Sequence, residues 1–339
     1  MRRSALALLV VLALPATAAA QTPPPAPTPP PAPTPPPAPV PAPPPAPPAA
    51  AAKLGVAADG GLTTTAALAG RSFTARVVMK PYVANEGAVL RVYRHNRKLK
   101  VKSLTFKPVA GGAAGVAAFK VSPKSPGTLT LRASHRATPG LATTVAKPVK
   151  VSIVRAYAGP GSKGPAVRYL QDRVARLHYV TSRSGVYDAA TGRAIMAWRK
   201  VAGYSRTYVA TADVFAGMLK GRGVFKVRHP QDGRHVEARL NLQVLALING
   251  SKVERIYHTS SGAPATPTVR GKFRVYLKTP GVNAKGMIDS NYFIRGYAIH
   301  GYASVPPYNA SHGCLRLPAP NARSVYDWLR IGDVVWVEP

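Results

Sequence analysis

Residues 21–52 cannot fold. Eighteen of the chain's 36 prolines lie there, in PPPAPT repeats with little between them but alanine and a few threonines. Proline fixes φ and offers no backbone donor, so the tract builds neither helix nor sheet and buries no core. It is expected to run as polyproline II, about 3.1 Å per residue and so up to roughly 90 Å. Such a spacer would hold later domains away from a membrane or through a wall. Before it, Met1-Arg2-Arg3 leads into an uncharged run, Ser4 to Ala20, that ends in three alanines. A basic start, a short apolar centre and small closing residues describe a signal peptide at residues 1–20, cut after Ala20. Its strongly apolar part, Ala5 to Leu14, is shorter than the roughly 20 residues a spanning helix needs. The chain is therefore expected to be exported.

Export gives the charge and the cysteine their meaning. The formal charge is +34, from 46 Lys and Arg against 12 acids. A chain like this seeks polyanions, and outside a cell these are wall polymers and lipid head groups. From Lys53 to Arg155 there are 18 basic residues and 2 acids; from Arg222 to the end, 16 and 7. No zinc-finger spacing and no aromatic-basic platform argues for nucleic acid. There is one cysteine, Cys314. It cannot form an internal disulfide, which leaves an intermolecular bridge, a free reactive thiol or an inert buried residue.

Beyond the spacer the pattern predicts three folded parts. Residues 53–155 carry short alternating runs, among them "SFTARVVMK", "GVAAFKVS" and "GTLTLRASH", split by Gly, Pro and Asn. Their spacing predicts an immunoglobulin-like β-sandwich. "RHNRK" predicts a hairpin turn there, and His95 and His135 are expected to be solvated. Residues 156–222 predict three helices. Val167, Leu170, Val174 and Leu177 recur at helical spacing after Pro165, Asp188 is a candidate N-cap for the second helix, and Thr211 caps the third. Residues 223–339 return to strands: "HVEARLNLQVLALI" as one run, an Asn249-Gly250 hairpin turn, then a second run. "APNARSVYDWLRIGDVVWVEP" predicts a helix stopped by Gly332 and a last strand.

The chemistry gathers at "AIHGYASVPPYNASHGCLRLP", where Cys314 follows His312 by two residues and His300 by fourteen. A cysteine nucleophile must become a thiolate, and an imidazole can take its proton and return it to a leaving amine. Gly313 lets backbone approach a substrate, and the amides of Gly313 and Cys314 are candidates to face an oxyanion. Together these types suit acyl transfer through a thioester, with the thiol accessible and its pKa depressed. A metal site would have only these three ligands where zinc takes four, so no metal and no cofactor is expected.

"AIHGY…ASHGCLRLP" resembles the signature of the L,D-transpeptidase family, the YkuD-type catalytic domain. "ATPTVRGKF" resembles its Thr-Pro-x-Gly-x-Phe segment, with extra residues before Gly271. The resemblance covers about Val224 to Pro339 and implies a mainly-β domain. It implies Cys314 as nucleophile, His300 as base oriented through the Gly301 carbonyl, and His312, Ser311 and Gly313 as the loop that shapes the pocket. Arg316 stands where many members carry Asn and could hold a substrate carboxylate. Tyr292 and Tyr302 are candidates to line the donor pocket, and Asp289 is read as structural. "GSKGPAVRYLQ", "SGVYDAATGRAI" and "ADVFAGML" resemble a three-helix peptidoglycan-binding domain, with "AWRKVAGY" departing from its pattern. The implied activity joins peptidoglycan stem peptides at the cell envelope. Water in place of the amine would give an L,D-carboxypeptidase. A catalytically silent wall-binding protein is the reading from another class. All expected catalytic residues lie beyond Val224, so that segment is expected to carry the chemistry alone.

Overall fold

The computed structural model describes residues 49–339. The expected signal peptide and most of the proline-rich spacer lie outside the described residues; the spacer's described end departs from the expectation, since Ala50 exchanges backbone bonds with Gly140 and Ala142, and Ala52 packs on the sandwich core.

The first ten strands are β1 (Lys53–Asp59), β2 (Ala66–Leu68), β3 (Phe73–Lys80), β4 (Gly87–Arg94), β5 (Arg97–Thr105), β6 (Lys107–Pro108), β7 (Gly115–Val121), β8 (Gly127–His135), β9 (Thr144–Val145) and β10 (Val149–Val154). One sheet has the order β1-β3-β7-β6, the other β2-β10-β8-β4-β5 with β9 on β8. Alternate residues of both sheets, including Val77, Met79, Leu90 and Leu131, share one core, which is what period-2 patterning requires. The turn at "RHNRK" is tight: Arg94 pairs with Arg97, and His95 adopts a φ of +52°. His135 departs from the expectation of a solvated histidine. It is buried, and its Nδ1 lies 2.7 Å from the Gly87 carbonyl.

Three helices follow, α1 (Pro165–Arg176), α2 (Ala189–Ala202) and α3 (Ala212–Leu219). Asp188 caps α2 by accepting from the Thr191 N–H at 2.8 Å. Thr211 takes the N-cap position of α3 without capping it; its hydroxyl turns to the Asp213 carboxylate, which accepts from the Val214 N–H instead.

The last part holds β11 (Arg234–Arg239), β12 (Val244–Asn249), β13 (Lys252–His258), β14 (Gly271–Arg274), β15 (Leu277–Val282), β16 (Ile288–Ile294), β17 (Tyr297–Tyr302), β18 (Leu315–Pro318), α4 (Ala319–Trp328) and β19 (Val334–Glu338). Its sheets run β13-β12-β11-β19-β14 and β15-β16-β17-β18. Two pairs are parallel, β11 with β19 and β17 with β18. The run expected as one strand is two, because Gln243 turns the chain at a φ of +57° and its side-chain amide closes the turn onto the Leu240 carbonyl. α4 ends at Trp328 rather than at Gly332, which sits in the following turn with φ +95°.

The helical part is not a free-standing spacer. Trp198, Ile195, Phe215 and Met218 share a single core with Val244, Ala246, Ile248 and Ile256 of β12 and β13, and with Leu62, Ala66 and Leu68 around β2. The helices therefore cover one face of the β13-β12-β11 sheet. Each fully buried Val or Ile there is worth about 1.5–3 kcal/mol, against a typical domain stability of about 5–15 kcal/mol. This packing argues against the expectation that residues from Val224 act alone. A fragment of residues 224–339 should lack a cooperative thermal transition and show little turnover, whereas residues 49–339 should show both. A cooperative melt with full turnover from the shorter fragment would contradict the shared core.

Candidate active site

The parallel pairing of β17 with β18 sets His300 opposite Arg316, with Ile299 opposite Leu315 and Gly301 opposite Leu317. Side chains alternate between the faces of a strand. Ile299, Leu315 and Leu317 accordingly enter the core beneath. His300, Tyr302, Cys314 and Arg316 come together on the other face, where they line a cavity of about 480 Å³ with Ser311, His312, Gly296, Lys285 and Met287.

Two glycines are fixed by this packing. A Cβ on Gly301 would collide with Ala322 of α4, so the helix can lie against β17 only where that side chain is missing. Gly313 adopts a φ of +109°, and a Cβ there would run into the Tyr297 ring. The loop between them is tied at its own end: the Ser311 hydroxyl donates to the Cys314 carbonyl at 2.6 Å and accepts from the Gly313 N–H at 3.0 Å. Gly313 is thus committed within the loop, contrary to its expected role as a free oxyanion donor. The "HTSSG" segment runs alongside. The Ser261 carbonyl accepts from the N–H groups of Ala310 and Ser311, and Ser260 exchanges backbone bonds with Arg316. Thr268 of "ATPTVRGKF" accepts from the Gly262 N–H through its hydroxyl.

His300 is buried, and its Nδ1 donates to the Gly301 carbonyl at 2.8 Å. That bond leaves Nε2 as the acceptor. Burial pulls the His300 pKa below its ordinary value, the Gly301 carbonyl opposes this, and the Arg316 charge adds to the lowering. Cys314 is half-buried. Burial pushes its thiol pKa up, while the Ala298 N–H, Arg316 and Lys285 pull the other way without overcoming it. The expected depressed thiol is therefore not found. At rest the imidazole is neutral and the thiol protonated, the latter donating to the Gly296 carbonyl at 3.6 Å.

His312 is exposed at the cavity rim. Arg316 lays its guanidinium 4.1 Å from the Tyr302 ring centre, and Tyr302 meets His300 edge-on at 5.8 Å. Tyr292 does not line the cavity. It lies opposite Ala298 on β16, and its ring pairs with Tyr276 at 6.4 Å. Asp289, as expected, is tied into the fold: its carboxylate accepts from the Gly281 N–H at 2.9 Å. Lys285 and Met287, in the β15–β16 turn, escape the sequence reading because nothing in "VNAKGM" except its turn residues marks it as facing the thiol.

A thiol, an acceptor nitrogen held by its partner bond, and a cation beside them, on one rigid sheet face, suit thiol-based acyl transfer. The comparisons point the same way. Residues 233–337 match the YkuD family, the L,D-transpeptidase catalytic domain. The solved L,D-transpeptidase from Xylanimonas cellulosilytica is 33% identical, with a TM-score of 0.51, over 54% of this chain and 98% of that one. A mutant L,D-transpeptidase from Enterococcus faecium is 24% identical over 31% of this chain and 49% of that one, with a TM-score of 0.28. L,D-transpeptidase 1 of Mycobacterium tuberculosis is 23% identical over 32% of this chain and 63% of that one, at 0.27. No curated protein sequence matches. On the first of these structures and the family match, the chain belongs to the L,D-transpeptidase family.

The raised thiol gives a testable pH dependence. An acid whose pKa is raised needs a higher pH to ionise, so alkylation of Cys314 should rise with an apparent pKa above the roughly 8.5 of a free thiol. Arg316→Gln should move it further up, since that charge favours the thiolate. An apparent pKa below the free-thiol value would instead mean a resting thiolate–imidazolium pair.

Proposed function

We propose that the protein is an exported peptidoglycan L,D-transpeptidase that cross-links stem peptides through a thioester on Cys314. The observation that carries this reading is the common face of β17 and β18, where His300 and Cys314 line one cavity and His300 Nδ1 is already bonded to Gly301. The Cys314 thiol gives its proton to His300 Nε2 as sulfur attacks the carbonyl of the third stem residue. The tetrahedral intermediate collapses, the terminal D-alanine leaves as an amine, and His300 returns the proton to it. A side-chain amine of a second stem then attacks the thioester, with His300 taking its proton. The new amide forms, and the thiolate departs and is reprotonated.

Because the thiol is not ionised at rest, proton transfer and attack must be coupled. Arg316 and Lys285 supply positive charge where the thiolate develops, and a low-dielectric site makes such charges count for more. Arg316 also suits a bidentate hold on a stem carboxylate. His312 and Tyr302 shape the cavity walls. The chemistry needs no metal or organic cofactor. Among the described residues no helix is long and apolar enough to cross a membrane, and the proposed export rests on the sequence of residues 1–20.

With tetrapeptide muropeptides, the enzyme should release D-alanine and form a dimer joined between two third residues. Cys314→Ala should abolish both products, and His300→Ala should slow them by about 10²–10⁴. Mass spectrometry of the products decides: D-alanine without dimer at every acceptor concentration would make it a carboxypeptidase, and undiminished activity in Cys314→Ala would end the thioester reading.

A further inference from the structure

A groove of about 1000 Å³ opens on the sandwich, outside the catalytic part. One wall is the β4–β5 hairpin with Arg94, Arg97 and Lys100; the other is the end of β7 and the loop after it, with Lys120 and Lys124. β6 pairs only with Gly115 and Val116, so this end of β7 has no neighbour on that side. Phe119, Leu99 and Leu129 give the groove an apolar lining. No Asp, Glu, Asn or Gln lines it. Among described residues 53–155 the only ion pairs are Arg76–Asp59 and His135–Glu86, so all five cations lack a carboxylate partner. Arg94 is held in place by Ser125, its Nη1 donating to the hydroxyl at 2.6 Å and its Nη2 to the carbonyl at 2.9 Å.

Lysines on an edge strand guard against edge-to-edge pairing. That accounts for β5, but not for Lys120 and Lys124 on the facing wall. The lining offers side-chain donors with no carboxylate or amide to accept from sugar hydroxyls, which favours a ligand read by charge over a neutral glycan. Its recessed shape suits a strand better than a flat bilayer. We propose that this groove binds a linear phosphodiester polymer of the cell wall. The polymer's placement rests on the export proposed above; the groove itself can be tested apart from it.

The test uses residues 21–339 carrying Cys314→Ala, so that binding is separated from turnover, with inorganic polyphosphate as probe. Arg97→Gln/Lys100→Gln/Lys124→Gln should weaken binding by about tenfold or more and lower its salt slope. Lys98→Gln/Lys102→Gln/Lys150→Gln removes equal charge from the same sandwich outside the groove and should cost less than about threefold. Equal losses would reduce the effect to net charge and overturn the proposal, as would tighter binding to phosphatidylglycerol vesicles than to polyphosphate. Retention on isolated wall should fall after phosphodiester removal; loss of that arm alone, with polyphosphate binding intact, would fault the wall placement.

A second, independent observation concerns Lys200 on α2. It is buried, and its Nζ lies 2.9 Å from the Gln243 carbonyl, 3.1 Å from the Thr259 carbonyl and 2.7 Å from His258 Nδ1. His258 Nε2 lies 2.9 Å from the Val305 carbonyl, an acceptor only, so Nε2 carries the hydrogen and Nδ1 accepts. Three acceptors thus surround the Lys200 Nζ. Burial, helped by Arg206, pulls the Lys200 pKa down to about 6. The partners lead to the nucleophile loop. Thr259 donates its hydroxyl to the Arg316 carbonyl at 2.7 Å, the Gln243 side chain bonds Ser261, and Ser261 holds Ala310 and Ser311. Val305 lies in the connection from β17 to that loop.

We infer that Lys200 is a positioning residue for the Cys314 loop, supplied by the helical part. Lys200→Ala should lower kcat by roughly ten- to a hundredfold with little change in KM. Propylamine replaces the deleted atoms and should restore kcat, whereas 1-propanol of the same shape should not. Rescue by both alike, or wild-type kcat in a folded Lys200→Ala, would reduce Lys200 to packing. If that variant fails to fold, Lys200→Met keeps the apolar stem. Folded Lys200→Met with wild-type kcat would overturn the inference, and reduced kcat would support it.

Discussion

The site depends on one parallel strand pair. β17 and β18 cannot be joined by a tight turn, because parallel neighbours need a crossover. Residues 303–314 make that crossover without a helix, and Cys314 stands at its end. A connection of this kind would be loose if left to itself. Here His258 holds Val305, Ser260 donates its hydroxyl to the Tyr308 carbonyl, Arg206 donates to Pro307, and Ser261 takes the N–H groups of Ala310 and Ser311. The sheet gives the thiol its direction, and the neighbouring segment gives the loop its shape. Gly301 is the point where both meet α4, since only a missing side chain lets the helix cover the core face of the pair.

The electrostatics follow from that burial. A half-buried sulfur is costly to ionise even with Arg316 and Lys285 nearby, and His300, buried as well, is costly to protonate. Each group therefore rests neutral, and in the proposed mechanism charge separates only as the acyl group is attacked. Under the proposed export, this has a chemical benefit for a protein with one cysteine. The thiolate is the form that oxidants attack, so a thiol that stays protonated until substrate arrives is shielded where no reducing pool protects it. The nearby cations are then reserved for the developing charge.

Much of this was legible in the sequence, and the limits have physical causes. The Ser311-His312-Gly313-Cys314 block and His300 were readable because their types and spacing carry chemistry, and the Gly301 carbonyl through the resemblance alone. α1 and α2 were readable because periodicity and the Asp188 cap are local signals. The division of β11 from β12 was not, because the left-handed φ falls on Gln243 and not on Asn241 of the same turn, inside an otherwise alternating run. The sign of the Cys314 shift was not, because histidine neighbours are visible in sequence and burial is not. Gly313 was given a free amide because the sequence does not reveal that Ser311 folds back onto it. Lys285 and Lys200 reach the site or its support through tertiary packing alone.

"AWRKVAGY" shows how a departure from a resembled pattern can carry information. Trp198, Arg199 and Lys200 are all buried. Trp198 donates to the Arg222 carbonyl and stacks on Tyr204. Arg199 is spent on Asp213, Thr211 and the Val209 carbonyl, and Lys200 on the sheet beneath. None of the three is free to meet a wall strand. Trp198 and Arg199 tie the helical part together, while Lys200 reaches Gln243, His258 and Thr259 of the part that follows. The composition of this stretch reports a covered face, which is why the proposed contact with a wall polymer falls to the sandwich groove instead.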